Sequence, residues 1–421
     1  MDTASPQLSR PVSRARLAVL LGGLTMIGPF AIDTVFPAFP VIGQQLGGDK
    51  VAMQQTLSVY LLAFAAMSLF HGPLSDAFGR RRVILWGIAI FTFASAGCAL
   101  AQDIPQLLAF RAVQGLSAGA GLIVGRAVIR DCFDGDDAQR LMSHVSMIFG
   151  IAPAIAPVIG GWILGFAAWP AIFWFLTAWA FAMWLAIALA LPETHHAAQR
   201  VPVSAGSVWR SSSSMLRDPL FVRLALAGAF NFGALFLYIA SAPAFVLDLL
   251  GLDEQQFGWF FIPTISGMMA GAWMSGHMAG RISGTRLVNI GFALCGTSVL
   301  INLGYNLLAD TPRFPWAVLP LPVLAFGIAL VFPILTLAIL DMHPRQRGAA
   351  SSMQMFVGLL SHTMLAGVLS PLISHDALWL CLGSGALSLA AWLLWRDYLR
   401  RTPVAPAANE NAPAYEPTVR M

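Results

Sequence analysis

The sequence predicts an all-α integral membrane protein with twelve transmembrane helices in two halves of six. Three observations carry this. First, 57% of the 421 residues are apolar and only 10% are charged, against roughly 25% charged in a soluble domain. So few charges could not cover a soluble fold of this length, which excludes a cytosolic enzyme, a nucleic-acid binder and a disordered chain. Second, apolar runs of about 20 residues, enough to cross the hydrocarbon as a helix, recur along the whole chain. Third, the arginines concentrate in alternate connections.

The first run, near 17–38, follows Arg10, Arg14 and Arg16. It is too long for a signal peptide, contains Asp33 and lacks a small-x-small cleavage site, so it reads as a retained span. Runs near 51–71, 83–101, 105–126, 142–165 and 169–191 complete the first six. The second six lie near 221–247, 255–278, 287–308, 316–340, 349–373 and 376–396. Glycine and proline occur freely in them, as membrane helices tolerate. The ten-residue alternation of a β-barrel is absent.

The divisions follow: an N-terminal segment 1–16, a six-helix half 17–191, a polar central loop 192–218, a second half 219–399 and a Pro/Ala/Asn-rich, disordered tail 400–421. With both termini in the cytoplasm, Lys50 and Arg313 lie in external loops and Arg111 lies within span 4. The other 21 of the 24 basic residues then fall on the cytoplasmic side, as the positive-inside rule requires. Gly79, Arg81 and Val83 recur as Gly284, Arg286 and Val288, 205 positions later. Such a parallel repeat is how transporters build a midplane site between halves. The four cysteines show no metal or disulfide spacing, so neither is expected.

Charges inside the hydrocarbon point to function, because each costs at least about 2.5 kcal/mol at a helix centre. Of the 20 acids, Asp33 alone lies clearly within a span, in GPFAIDTVFPAFP. It is a candidate for proton exchange; the alternative is a carboxylate that caps or pairs at the wet outer end of span 1. Arg111 lies in LLAFRAVQGLSAGAG, with Gln114 and Gly115 on the same helix face. Arginine does not give up its own proton, but it can tune an acid or hold an anion. The alternative is snorkelling to the outer interface.

The connection GPLSDAFGRRRV suggests a conformational latch built from Gly72, Asp76, Gly79, Arg80 and Arg81. Its two glycines would bring spans 2 and 3 close. Asp76 could stabilise a facing helix end or pair with Arg126 or Arg130. Span 5 carries Pro153, Pro157, Gly160 and Gly161 in GIAPAIAPVIGGWILG. A bent, closely packed helix there could seal a leak between halves, or simply pack. A soft, adaptable substrate cavity could draw on Tyr60, Gln114, Asn231, Phe236, Tyr238, Gln354 and Met355. Interhelical packing is the alternative for each. The lone intramembrane histidines His144 and His362 read as packing residues.

These motifs resemble the major facilitator superfamily. GPLSDAFGRRRV is similar to its loop 2–3 signature and LLAFRAVQG to its span 4 signature. APVIGG resembles the span 5 signature of its drug:proton antiporters. IDTVFPAFPVI, LPET and LDMHPRQRGAASS resemble the bicyclomycin and chloramphenicol resistance branch. The resemblance spans about residues 17–400. It departs at Ala77, where the family loop usually has arginine, and at Ala156, where the span 5 signature usually has glycine.

The resemblance implies a proton-driven exporter of small amphipathic drugs in the bacterial inner membrane, working by alternating access, monomeric and without a cofactor. It implies proton coupling at Asp33 and Arg111, since an acid in span 1 and the arginine of span 4 are implicated in that family. Its partners would be a small-molecule substrate, protons and the bilayer, with no nucleic acid. An uptake symporter of the same fold is the alternative. An integral-membrane enzyme would need a polar catalytic cluster near one interface, and the sequence has none.

Overall fold

The computed structural model describes residues 14–133, 135–195, 197, 200, 204–279, 281–343 and 346–402. Among them there is no β-strand. The first six long helices are α1 (Arg14–Leu46), α2 (Lys50–Phe78), α3 (Arg80–Ala99), α4 (Ile104–Cys132), α5 (Gly135–Leu164) and α6 (Pro170–Ala190). The second six are α7 (Pro219–Ala240), α8 (Gly258–Met278), α9 (Gly284–Leu308), α10 (Pro320–Met342), α11 (Arg347–Ile373) and α12 (Ala377–Arg401). Eleven of these contain a stretch long and apolar enough to cross a membrane. The remaining one, α8, is as long at 21 residues. Its four glycines, Pro263 and two tryptophans dilute its hydropathy.

Local chemistry sets where these helices start. Asp49 accepts from the Ala52 N–H at 2.7 Å, Asp103 from Gln106 at 2.8 Å, Asp218 from Leu220 at 2.9 Å and Asp376 from Leu378 at 2.7 Å. Each such cap stabilises its helix by about 0.5–2 kcal/mol. Proline decides the main interruption. Pro37 has no N–H for the Asp33 carbonyl and Pro40 none for Phe36, so α1 narrows to a 3₁₀ turn at Phe36–Ala38.

The packing repeats. The pairs α2–α4, α3–α4, α3–α6 and α1–α5 recur as α8–α10, α9–α10, α9–α12 and α7–α11. The two sets meet chiefly along α2–α11 and α5–α8. Large apolar side chains such as Phe93, Trp162, Leu189, Leu300 and Trp379 are exposed on the outside of the bundle. A soluble monomer rarely shows so much apolar surface, but a bilayer covers it.

Two expectations change. The central segment 192–218, read as a loop, contains a helix at Ala205–Arg217. Met215 is buried against Phe221 and Met353, and this packing outweighs the weak helix preference of five serines. Gly72 does not bring α2 and α3 together: it lies inside α2, and a Cβ there would meet nothing within 4 Å. Gly79 makes the turn, at φ 100°, a conformation that favours glycine. Residues 1–13 and the tail after 402 lie outside the described residues.

Candidate functional site

Arg111 sits in α4 and is 2% exposed. It does not snorkel. Its Nη1 donates to the Ala31 carbonyl at 2.7 Å and to Gln114 Oε1 at 2.9 Å. Its Nε donates to the Thr56 carbonyl at 3.3 Å. The guanidinium lies over the Tyr60 ring, 4.7 Å from its centroid. One side chain thus ties α4 to α1 and α2. Gln114 extends the tie, donating to Ser95 Oγ of α3 at 2.8 Å. Gly115 permits the close approach, because a Cβ there would strike the Tyr60 backbone. Every acceptor around Arg111 is a neutral oxygen.

Asp33 is 4% exposed and makes no hydrogen bond or ion pair among the described residues. It is two residues beyond Ala31, whose carbonyl Arg111 holds. Tyr60, Gln114 and Arg111 form one buried cluster within the first six helices, and Arg111 ties it to the helix that carries Asp33. Among the described residues, Asp33 neither caps a helix nor pairs at a wet end. Tyr60 and Gln114, expected to line a cavity, are fully buried parts of this cluster, because the guanidinium needs a ring face and an oxygen.

The connection between α2 and α3 forms a second cluster. Arg80 donates to Asp76, to Ser75 Oγ at 2.6 Å and to Asp131 Oδ2 at 3.1 Å. Thr194 Oγ1 donates to the same Asp131 oxygen at 2.9 Å. Glu193 Oε1 accepts the Arg80 backbone N–H at 2.8 Å and so caps α3. Arg81 donates to the Ala188 carbonyl at 2.5 Å. Asp76 therefore pairs inside its own connection, not with Arg126 or Arg130. Arg130 is exposed and takes no part. These residues belong to the first six helices or, for Glu193 and Thr194, to the segment that directly follows them, so the cluster braces one half and does not bridge two. Sequence reasoning missed Asp131, Glu193 and Thr194; the LPET motif was the available signal.

The halves join at the opposite end. Lys50 of α2 pairs with Asp248 at 2.7 Å. Gln54 donates to Ser370 Oγ and Gln55 to the Gly367 carbonyl, both at 2.9 Å. Phe36 stacks on Phe261 with centroids 6.4 Å apart. The α5 motif lies along this seam: Gly160 abuts the Thr34 backbone and Gly161 the backbone of Glu254 and Gln255. Pro153 and Pro157 lie inside the unbroken helix α5.

Residues 21–366 match the family model described as Major Facilitator Superfamily. The chain belongs to that superfamily. An uncharacterized MFS-type transporter, YdgK, of Bacillus subtilis (strain 168) is 33% identical over 87% of this chain and 90% of its own. A bicyclomycin resistance protein homolog of Haemophilus influenzae is 28% identical over 65% of this chain and 69% of its own. Multidrug resistance protein MdtM of Salmonella typhimurium (strain LT2) is 29% identical over 72% and 73%. This superfamily member is a transporter and not an enzyme.

The transporter's second half holds the remaining cavity candidates. Phe236 of α7 stacks on His362 of α11 at 4.5 Å, with Phe232 at 5.3 Å from the same imidazole. Asn231 donates to the Ile328 carbonyl at 3.3 Å and leaves its Oδ1 unpartnered. Gln354 donates to Thr336 Oγ1 at 2.9 Å, and Met355 packs half-buried on the core. Tyr238 does not join them. It is 1% exposed, and its hydroxyl accepts from Asn302 of α9 at 2.8 Å. That partner holds it inside the second half.

Proposed function

We propose that this transporter exports small amphipathic compounds in exchange for protons, by alternating access, in the bacterial inner membrane. One observation carries the reading: a buried carboxylate, Asp33, without a bonded partner among the described residues, two residues beyond the backbone carbonyl held by an arginine whose bonds all go to neutral oxygens. A charged carboxylate is costly in hydrocarbon, and an added proton removes that cost. The site can therefore be the place where a proton changes the balance between two conformations. The printed names of the bicyclomycin resistance homolog and of MdtM support drug export.

The positive-inside bias supports an orientation with the Asp76–Arg80 end and both termini in the cytoplasm. The seam at Lys50, Gln54 and Phe36 is then external, and this conformation is sealed outside. A proton from outside reaches Asp33 when the seam parts and leaves inward when it closes. The halves, 17–191 and 219–399, rock about the site as a monomer, without a cofactor. Arg111 fixes the geometry around Asp33. Phe236, Asn231, Gln354 and Met355 supply soft and polar surface to the substrate. Pro153, Pro157, Gly160 and Gly161 keep α5 packed on the seam against leak.

The test is Asp33→Asn in inverted vesicles under a pH gradient. The variant should insert normally and bind substrate, yet accumulate none uphill. Undiminished uphill transport would remove Asp33 from coupling. Counterflow in the same vesicles separates export from uptake.

A further inference from the structure

At the Asp76–Arg80 end, an apolar groove of ≈ 360 Å³ opens between α2, α11 and the connecting helix Ala205–Arg217. Leu69 and Phe70 come from the first half, Met353 and Phe356 from the second, and Val208 and Leu216 from the connecting helix. Three pieces of the chain thus wall one space. Trp209 at the rim is 75% exposed and Leu216 is 47% exposed.

The connecting helix is amphipathic and cationic. It carries Arg210 and Arg217 and no acidic residue. Both arginines are exposed, and Arg217 makes no ion pair among the described residues. The neighbouring Asp218 is occupied: its Oδ1 caps α7, and its Oδ2 lies 3.8 Å from His343. Arg210 Nε donates to the Gly206 carbonyl at 3.3 Å, within its own helix. An exposed tryptophan, exposed cationic heads and an adjoining apolar slot are the features of a helix lying in a lipid interface.

We propose that this groove binds one anionic glycerophospholipid, its acyl chain between Phe70 and Phe356 and its phosphate on Arg210 and Arg217. The charge complementarity selects the occupant: hydrocarbon alone would need no arginine, and a free anion would need no apolar slot. Because both halves wall the groove, rocking them changes its shape. The lipid therefore binds the present conformation better than one with the groove altered, and shifts the balance toward it. This inference is independent of what the protein transports.

The experiment uses the full chain in neutral detergent, titrated with phosphatidylglycerol or phosphatidylcholine of identical chains and read by native mass spectrometry. Wild type should retain one phosphatidylglycerol in preference to phosphatidylcholine. Arg210→Gln and Arg217→Gln should each weaken phosphatidylglycerol retention by about fivefold and leave phosphatidylcholine unchanged. Ser212→Phe, which fills the slot, should reduce both. Brominated acyl chains should quench wild-type fluorescence more than that of Trp209→Phe. Equal retention of the two lipids, or retention unaffected by all of these substitutions, would overturn the proposal. So would a dimer abolished by Ser212→Phe, which would give the groove to a second copy.

Discussion

Gln54 of α2 donates its side-chain amide to Ser370 Oγ of α11 across 2.9 Å. Ser370 Oγ lies 2.7 Å from Ser241 Oγ at the end of α7. All three residues are buried, so this short chain of polar groups is a bond between halves shielded from bulk solvent. A buried hydrogen bond contributes a net 0.5–1.5 kcal/mol or so. Gln54→Leu removes it while Ser241 still serves Ser370. The expected result is a roughly two- to twelvefold shift of population away from this closed seam. Paired spin labels on the α1–α2 and α7–α8 connections read that shift, and an unchanged distance distribution would rule it out.

Arg111→Lys keeps the charge and loses the planar fork. A single ammonium cannot serve the carbonyls of Ala31 and Thr56, the Gln114 amide and the Tyr60 ring face together. Charged hydrogen bonds are worth about 1.5–3 kcal/mol each, so a clear drop in melting temperature and a severe loss of transport are expected. Near wild-type values in both would show that charge alone matters at this position.

Asp33→Asn should behave in the opposite way toward heat. The carboxylate has no bonded partner to lose among the described residues, and an amide is cheaper than a charge in hydrocarbon. The variant's melting temperature should equal or exceed that of wild type while coupled transport disappears. Strong destabilisation by this isosteric change would reveal a structural bond made by the charged form.

Arg80 has two acidic partners of different exposure. The Asp131 side chain is 21% exposed and that of Asp76 is 46% exposed. Pairs that face water contribute little. Asp131→Asn, which leaves a neutral amide where Arg80 and Thr194 now share one carboxylate oxygen, should destabilise more than Asp76→Asn. Denaturation of the two variants and of the double variant orders the effects. A larger loss from Asp76→Asn would make the i,i+4 pair the stronger one.

Gly161→Ala places a methyl group against the backbone of Glu254 and Gln255. Backbone cannot swing aside as a side chain can, and overpacking costs about 1–3 kcal/mol. The seam between α5 and α8 should loosen, raising the accessibility of a cysteine introduced nearby to a thiol reagent. Unchanged labelling would show that the two helices can separate at no cost to the closed state.

Much of this architecture was legible because the bilayer imposes it. A span must be long, apolar and hydrogen-bonded within itself, and sequence carries all three. Asp33 and Arg111 stood out because charge is rare in such runs. Partner choice was not legible. Tyr238 reads as a cavity residue until Asn302, 64 positions away, is seen to hold it. Tyr60 and Gln114 look like substrate groups but serve Arg111. Glu193 reaches the start of α3 from 113 residues away, a contact no local pattern encodes. The connecting helix escaped notice because its serines argue against helix and only Met215 and its burial argue for it.

The two prolines after Asp33 give α1 a mechanical property. A continuous helix bends only by stretching hydrogen bonds, whereas the stretch around Phe36–Ala38 already lacks the donors of Pro37 and Pro40. The outer third of α1 can tilt on this joint while the inner part stays clamped by Arg111 through Ala31. The Phe36–Phe261 plug can thus part as a separate movement, ahead of any swing of the whole half. A joint of this kind lets the outer contact yield without moving the part of the helix that Arg111 holds, and Asp33 sits at its inner edge.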